Sequence, residues 1–167
     1  AEFTGLDPSV EQEQHRLLND VYVLLDACDR DALEPFGITP SQYSLLILLD
    51  VESGTQLVTL ANRLLVARST VTRLVNVLEM MGLISRIDDP DDRRAQRVRL
   101  TPEGAHLRQR AYAAHHAALQ AWLAPLENAD QRRLIVLLDR MRRVSRPARD
   151  SGEISPKPTV LMVISVM

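Results

Sequence analysis

The sequence has little of several residue types, and each shortage excludes a class of protein. A single cysteine, Cys28, excludes an internal disulfide and is typical of a reducing compartment. No apolar run approaches the roughly 18 residues that a membrane-spanning helix needs, and no signal peptide opens the chain. Two phenylalanines, three tyrosines and one tryptophan leave leucine, valine and alanine to fill the core. The sequence therefore predicts a soluble, cytoplasmic, mainly helical protein.

Signatures of catalysis and of metal binding are also missing. The six glycines are scattered at predicted helix ends and loops, without a phosphate-binding loop or a nucleophile elbow. His106, His115 and His116 of one predicted helix lack the spacing that places two metal ligands on one helix face. The acidic run from Asp88 to Asp92 fits turns and internal ion pairs better than metal binding. We expect a protein that is not an enzyme and needs no metal or cofactor.

Lysine is almost absent, with one residue against nineteen arginines, and the arginines are unevenly placed. Residues 57–99 hold eight arginines and five acids, a net charge of +3. The rest of the chain holds twelve basic and seventeen acidic residues, a net charge of −5, which gives the total of −2. This concentration of positive charge in one segment is typical of a module that binds nucleic acid.

The same segment contains two apolar-periodic stretches separated by a short turn. The second carries apolar residues at helical spacing, namely Val71, Leu74, Val75, Leu78 and Met81. This spacing predicts a buried stripe on a helix over residues 69–81. The outward positions are Ser69, Thr70, Thr72, Arg73 and Asn76, and Glu79 is the sole acid. Hydroxyl and guanidinium groups donate to phosphates and base edges, so we predict a DNA-reading helix rather than an ordinary surface helix.

A hairpin is predicted directly after this helix, which ends at Gly82. Residues 83–87 and 97–101 are predicted to form two short strands. The second alternates arginine with apolar residues, which is the period of a strand. The loop between them, residues 88–96, is rich in turn-forming residues. Helix, turn, helix and hairpin in this order form a winged helix-turn-helix.

These residues resemble the MarR-type bacterial transcriptional regulators over roughly residues 10–146. The matching elements are Leu60-Ala61, the run from Ser69 to Val75, Leu78-Glu79, Gly82-Leu83, the wing residues Asp88, Pro90, Asp92, Arg93 and Arg94, and finally Leu100, Thr101 and Gly104. Two positions depart from the family pattern. Leu65 occupies a turn position where glycine is common, and Val77 a position where a basic residue is common. Val77 either contacts a thymine methyl or weakens a phosphate contact, and both interpretations stay open.

The resemblance implies a mainly α fold, a six-helix winged helix-turn-helix with a two-stranded β wing and a helical dimerisation region. The recognition helix 69–81 would enter the major groove, led by Ser69, Thr70, Thr72 and Arg73. Arg93 or Arg94 of the wing would reach the adjacent minor groove, where narrow A·T-rich segments concentrate negative potential. The arginines predicted to contact phosphates are Arg68, Arg86, Arg97 and Arg99.

Outside the DNA-binding region, residues 57–101, the chain divides into helical and irregular segments. We expect residues 1–7 to be a flexible start with a cloning remnant at Ala1-Glu-Phe, residues 8–56 and 102–146 to hold dimerisation and support helices, and residues 147–167 to form a tail of unknown role. Helices are predicted at residues 8–33, 40–49, 102–122 and 129–145. Between the second of these and the recognition helix, Thr59 is predicted to cap the helix that contains Leu60-Ala61. Three of these helices carry apolar stripes that one chain cannot cover. This pattern predicts a homodimer, and with it an inverted-repeat operator.

The predicted function is sequence-specific binding of double-stranded DNA in transcriptional regulation. The resemblance implies a repressor released by a small phenolic or anionic ligand, whose binding residues the sequence does not identify. One alternative is a winged-helix protein-interaction module. A second is a thiol-based redox sensor using Cys28, although a small buried hydrophobic role suits its apolar stripe and acidic neighbours better.

Overall fold

The computed structural model describes residues 8–90 and 95–144. In chain order its helices and strands are α1 (Pro8–Leu33), α2 (Pro40–Ile47), β1 (Thr55–Gln56), α3 (Leu57–Leu64), α4 (Arg68–Met80), β2 (Ile84–Asp88), β3 (Gln96–Leu100), α5 (Pro102–Leu123) and α6 (Asn128–Val144). The predicted mainly α, six-helix fold with a β wing is confirmed. The predictions for residues 1–7, Arg93, Arg94 and 147–167 lie outside the described residues.

Helix α2 begins at the predicted capping box. The Thr39 hydroxyl accepts a hydrogen bond from Gln42 N at 3.3 Å, and Gln42 Oε1 accepts one from Thr39 N at 2.7 Å. The helix ends at Ile47 rather than at the predicted Leu49. The Asp50 carboxylate then accepts hydrogen bonds from the loop that follows, among them one from the Ser53 hydroxyl at 2.7 Å. These hydrogen bonds lower the pKa of Asp50, and the bond from Ser53 has the largest effect.

Two other predicted helix starts were wrong. Helix α3 begins at Leu57 and not after Thr59, because the extended residue Gln56 leads from strand β1 directly into the helix. In α6, Asn128 is the first helical residue rather than the cap. The side-chain amide of Gln131 instead donates back to the carbonyl oxygens of the preceding turn.

The wing is larger by one strand than predicted. Strands β2 and β3 pair antiparallel from Ile84 opposite Leu100 to Asp88 opposite Gln96, each within one residue of its predicted limits. Strand β1 pairs with the other edge of β3, with Thr55 opposite Val98. The two-stranded hairpin is therefore part of a three-stranded sheet in the order β1–β3–β2.

Helix α5 starts close against the hairpin. The Thr101 hydroxyl accepts from Gly104 N at 3.0 Å and donates to Gly82 O at 2.7 Å, so it joins the turn after α4 to the start of α5. A Cβ atom at Gly104 would lie 1.8 Å from Leu83 O. Only glycine permits this close approach, which explains why a glycine lies three residues after Thr101.

The predicted stripe of α4 faces the core with one exception. Val71, Val75 and Leu78 are fully buried, and Leu74 packs partly buried against the same core. Met81 is 41% exposed, so its predicted burial was wrong. The reason is that α4 ends at Met80 and the chain leaves the helix at Met81.

Helices α1 and α6 each expose an apolar stripe. On α1 the stripe comprises Leu17, Leu18, Val21 and Leu24, which are 44–59% exposed. On α6 it comprises Leu134, Leu137, Leu138 and Met141, which are 36–47% exposed. Contiguous exposed apolar surface of this kind marks an interaction site. None of the described helices is both long and apolar enough to cross a membrane.

Candidate nucleic-acid interface

The turn between α3 and α4 has the shape that usually requires glycine. Leu65 lies in the left-handed region, with φ 56° and ψ 34°, and its N–H donates to Ala61 O. A side chain in this conformation costs about 1–2 kcal/mol. The departure from the family pattern at Leu65 therefore leaves the turn in place and adds strain to it.

A pair of substitutions at this turn separates strain from packing. Leu65→Gly and Leu65→Ala both remove the half-buried side chain, but only glycine removes the left-handed penalty. We expect the glycine variant to be more stable than the alanine variant by about 1 kcal/mol in urea unfolding. Equal stability of the two variants would show that Leu65 is not strained.

The outward face of α4 presents the predicted small polar side chains. Ser69, Arg73 and Asn76 are exposed, and Thr70 and Thr72 are partly exposed. Thr72 Oγ1 donates to Arg68 O at 3.0 Å, so this hydroxyl bonds the helix backbone in the free protein. Ala67 at the start of the helix provides no side-chain cap. Thr70 N donates to Ala67 O at 3.0 Å, which leaves the N–H groups of Arg68 and Ser69 available to an external acceptor such as phosphate.

The register of the hairpin places its arginines on two different faces. Arg86 lies opposite Val98 and two residues after Ile84, both of which are buried. Its side chain therefore leaves the sheet on the same face as theirs, the face that packs on the core. Arg97 and Arg99 lie on the other face, opposite Ile87 and Ser85. Arg86 therefore has different surroundings from Arg97 and Arg99, although all three belong to one hairpin.

The Arg86 side chain is directed at helix α4. Its Nε donates to Glu79 Oε2 at 3.0 Å, one terminal nitrogen to Gln96 Oε1 at 3.2 Å, and the other to Asn76 Oδ1. The Arg86 side chain is 26% exposed. This group connects α4, β2 and β3.

Arg97 forms an ion pair at the base of the wing. Its Nε donates to Asp89 Oδ2 at 2.8 Å, and the same oxygen accepts from Gln56 Nε2 at 2.6 Å. The Asp89 carboxylate is fully buried. The acidic run was expected to form internal ion pairs, and Asp89 does so. Sequence reasoning did not identify Gln56, which joins the start of α3 to this pair.

The remaining predicted arginines have more open surroundings. Arg68 is exposed at the start of α4, where it lines an open groove of about 300 Å³ with Asp88 and Gln96 of the wing. Arg99 is partly exposed on the outer face of the hairpin. The structure thus brings Arg68, α4 and the wing to one side of the module, and Arg93 and Arg94 lie outside the described residues.

The environment of Cys28 disfavours thiolate chemistry. Burial raises the pKa of the Cys28 thiol, and the negative charges of Asp29 and Asp31 raise it further. A redox-sensing cysteine needs the opposite, a lowered pKa in electropositive surroundings. The described residues contain no cluster of three or more potential metal ligands.

A buried polar pair links the long helices beside this cysteine. His115 Nε2 of α5 lies 2.8 Å from Asp29 Oδ1 of α1, and both residues are buried. The ring of Tyr43 from α2 packs on the histidine at a centroid distance of 4.8 Å, and burial raises the pKa of Tyr43 to about 12. His115 is thus a buried helix histidine that is hydrogen-bonded to an acidic side chain.

The two-helix unit and the adjoining hairpin, with a polar outward face on the second helix, define a winged helix-turn-helix protein. The model of the MarR family matches residues 38–95. The HTH-type regulator YkoM of Bacillus subtilis is 31% identical over 109 residues, which cover 65% of this chain and 70% of YkoM. The HTH-type regulator YhbI of the same organism is 40% identical over 91 residues, which cover 54% of this chain and 58% of YhbI. The chain belongs to the MarR family.

Solved structures of this family share the fold. A mutant MarR from Escherichia coli, complexed with operator DNA, superposes with a TM-score of 0.73 at 25% identity, covering 81% of this chain and 99% of that one. CouR from Rhodococcus jostii RHA1, bound to p-coumaroyl-CoA, gives a TM-score of 0.73 at 26% identity, covering 84% of this chain and 97% of that one. The sequence match spans only part of some curated relatives: 58% of the length of YhbI, and 64% of the length of a putative regulatory protein for the hcr operon of Thauera aromatica.

Proposed function

We propose that this protein is a transcriptional regulator that binds double-stranded DNA through α4 and the wing. The observation that carries the proposal is the outward face of α4, where Ser69, Thr70 and Arg73 offer donors and the one acid, Glu79, is paired with Arg86. Such a face binds phosphates and base edges without repelling the DNA backbone. A homologue of similar fold has been solved in complex with operator DNA, which supports DNA binding by this protein.

The proposed contacts divide between grooves and backbone. Ser69, Thr70, Thr72 and Arg73 contact base edges in the major groove, and Arg93 or Arg94 enters the neighbouring minor groove. Arg68 and Arg99, exposed or partly exposed on the same module, contact phosphates. Arg97 was predicted to join them, but its Nε is already paired with the buried carboxylate of Asp89. We therefore do not count Arg97 among the proposed phosphate contacts.

We also propose that the protein acts as a homodimeric repressor. The exposed stripes on α1 and α6 need a partner, and a second copy of the chain is the simplest closed solution. The phenolic and anionic ligand of CouR supports an effector of that chemistry here. Release of bound DNA by such a ligand is the observation that would test this part.

Salt dependence tests the central proposal. Duplexes enriched by the wild-type protein from a random library serve as the probe, and affinity is measured by fluorescence anisotropy. If several phosphates are contacted, the affinity should fall about 10³–10⁵-fold between about 50 and 200 mM salt. A protein-interaction module would enrich no duplex, and any weak binding would show no preference among sequences.

A further inference from the structure

Glu79 presents an electrostatic difficulty for a DNA-binding surface. It is the sole acid of α4, it lies on the outward side of the helix, and its side chain is 40% exposed. An unpaired carboxylate there would repel the phosphates that the rest of the helix attracts. In the structure its charge is balanced by Arg86, which approaches from the wing.

The geometry of Arg86 does more than balance this charge. Its planar guanidinium donates from all three nitrogens to side chains of α4 and β3, while its own backbone belongs to β2. A planar group with three fixed donor directions determines orientation as well as distance, which a lysine ammonium does not. The three bonds therefore join α4 to both strands of the hairpin.

We propose that Arg86 is a positioning residue for DNA recognition, which holds the wing at a fixed angle to the recognition helix and neutralises Glu79. This inference rests on the proposed DNA-binding function, and it replaces the phosphate contact predicted for Arg86 from the sequence. The angle matters because α4 and the wing bind different grooves. If the angle varies, seating one element displaces the other.

A substitution that preserves charge separates positioning from phosphate contact. Arg86→Lys keeps the positive charge, and a lysine is itself a good phosphate ligand, but it cannot reproduce the three-way fork. Arg16→Lys is the matched control, because all three guanidinium nitrogens of Arg16 also donate to side chains, those of Glu13 and Asp20, but within α1 and outside the winged helix-turn-helix. Each variant is measured on the enriched operator, on random duplex, and on operators whose flanking A·T pairs are replaced by G·C.

Positioning predicts a distinct pattern for Arg86→Lys. Operator affinity should fall about tenfold, since the fork is lost. Random-duplex affinity should stay at the wild-type value because the net charge is unchanged. The preference for A·T flanks should shrink, because the wing is no longer held where it can enter the minor groove next to the recognition helix. Arg16→Lys should match wild type in all three measurements, and both variants should unfold at the wild-type urea concentration.

Three results would decide against this assignment. Wild-type operator affinity in Arg86→Lys would show that charge suffices and that Arg86 contacts phosphate. An equal loss on operator and random duplex would show a general defect rather than positioning. If the wild-type protein binds no duplex, the proposed function fails and takes this inference with it, whereas the first two results leave the proposed function intact.

Discussion

Inserting about 5 bp at the centre of the operator should abolish tight binding, since this rotates one half-site to the opposite face of the duplex. The expectation follows from the proposed two-fold dimer, in which the exposed stripes of α1 and α6 would be covered. Two recognition helices related by such an axis bind half-sites about one helical turn, ~10 bp, apart. Losing simultaneous contact with both half-sites should cost about 10²–10⁴ in affinity.

A half-site fragment provides the control for this experiment. The operator with the insertion should bind no better than a duplex carrying one half-site. Retention of full affinity after the insertion would contradict a rigid two-fold arrangement.

The same prediction can be tested from the protein side. Leu138→Asp places a charge on the exposed stripe of α6 and should yield monomers or unfolded chains with little operator affinity. Val136→Asp is the matched control, because Val136 lies on the opposite side of that helix and is also exposed. A folded, monomeric wild-type protein in sedimentation at micromolar concentration, with equal affinity for one and two half-sites, would rule out the dimer.

Arg73→Ala should cost about 1–3 kcal/mol of binding free energy on the cognate operator, and less on random duplex. Arg73 is exposed in the first half of α4, among the small side chains that let the helix approach a base edge. A bidentate contact from its guanidinium to a base is specific for sequence, whereas a phosphate contact is not.

Arg73→Lys sharpens this measurement. Lysine keeps the charge and loses the fork, so random-duplex affinity should be retained while discrimination among operators falls. Equal losses on operator and random duplex in Arg73→Ala would instead assign Arg73 to a phosphate.

The helices of the helix-turn-helix were predictable because one-sided burial leaves a period in the sequence. Val71, Val75 and Leu78 recur at helical spacing, and all three are fully buried. Met81 continues the same spacing but follows the last helical residue, so the period extends past the helix. Strand β1 has two residues, too few for an alternation to appear.

The chemical types at the interface were predictable, but their partners were not. The hydroxyls and arginine of α4 follow from which positions face outward. The surroundings of Arg86 and Arg97 depend on the register of the hairpin, since a shift of one residue exchanges the two faces of a strand. The Gln56–Asp89 contact joins residues 33 positions apart, and no local pattern indicates it.

The buried pair of His115 and Asp29 has a consequence for how this sequence can diverge. Each side chain satisfies the other inside the contact between α1 and α5. Replacing either one alone leaves a buried polar group without its partner, at a cost of about 1–3 kcal/mol, whereas replacing both with apolar residues of similar shape can be nearly neutral. Among descendants of this chain, the two positions should therefore change together or remain as they are.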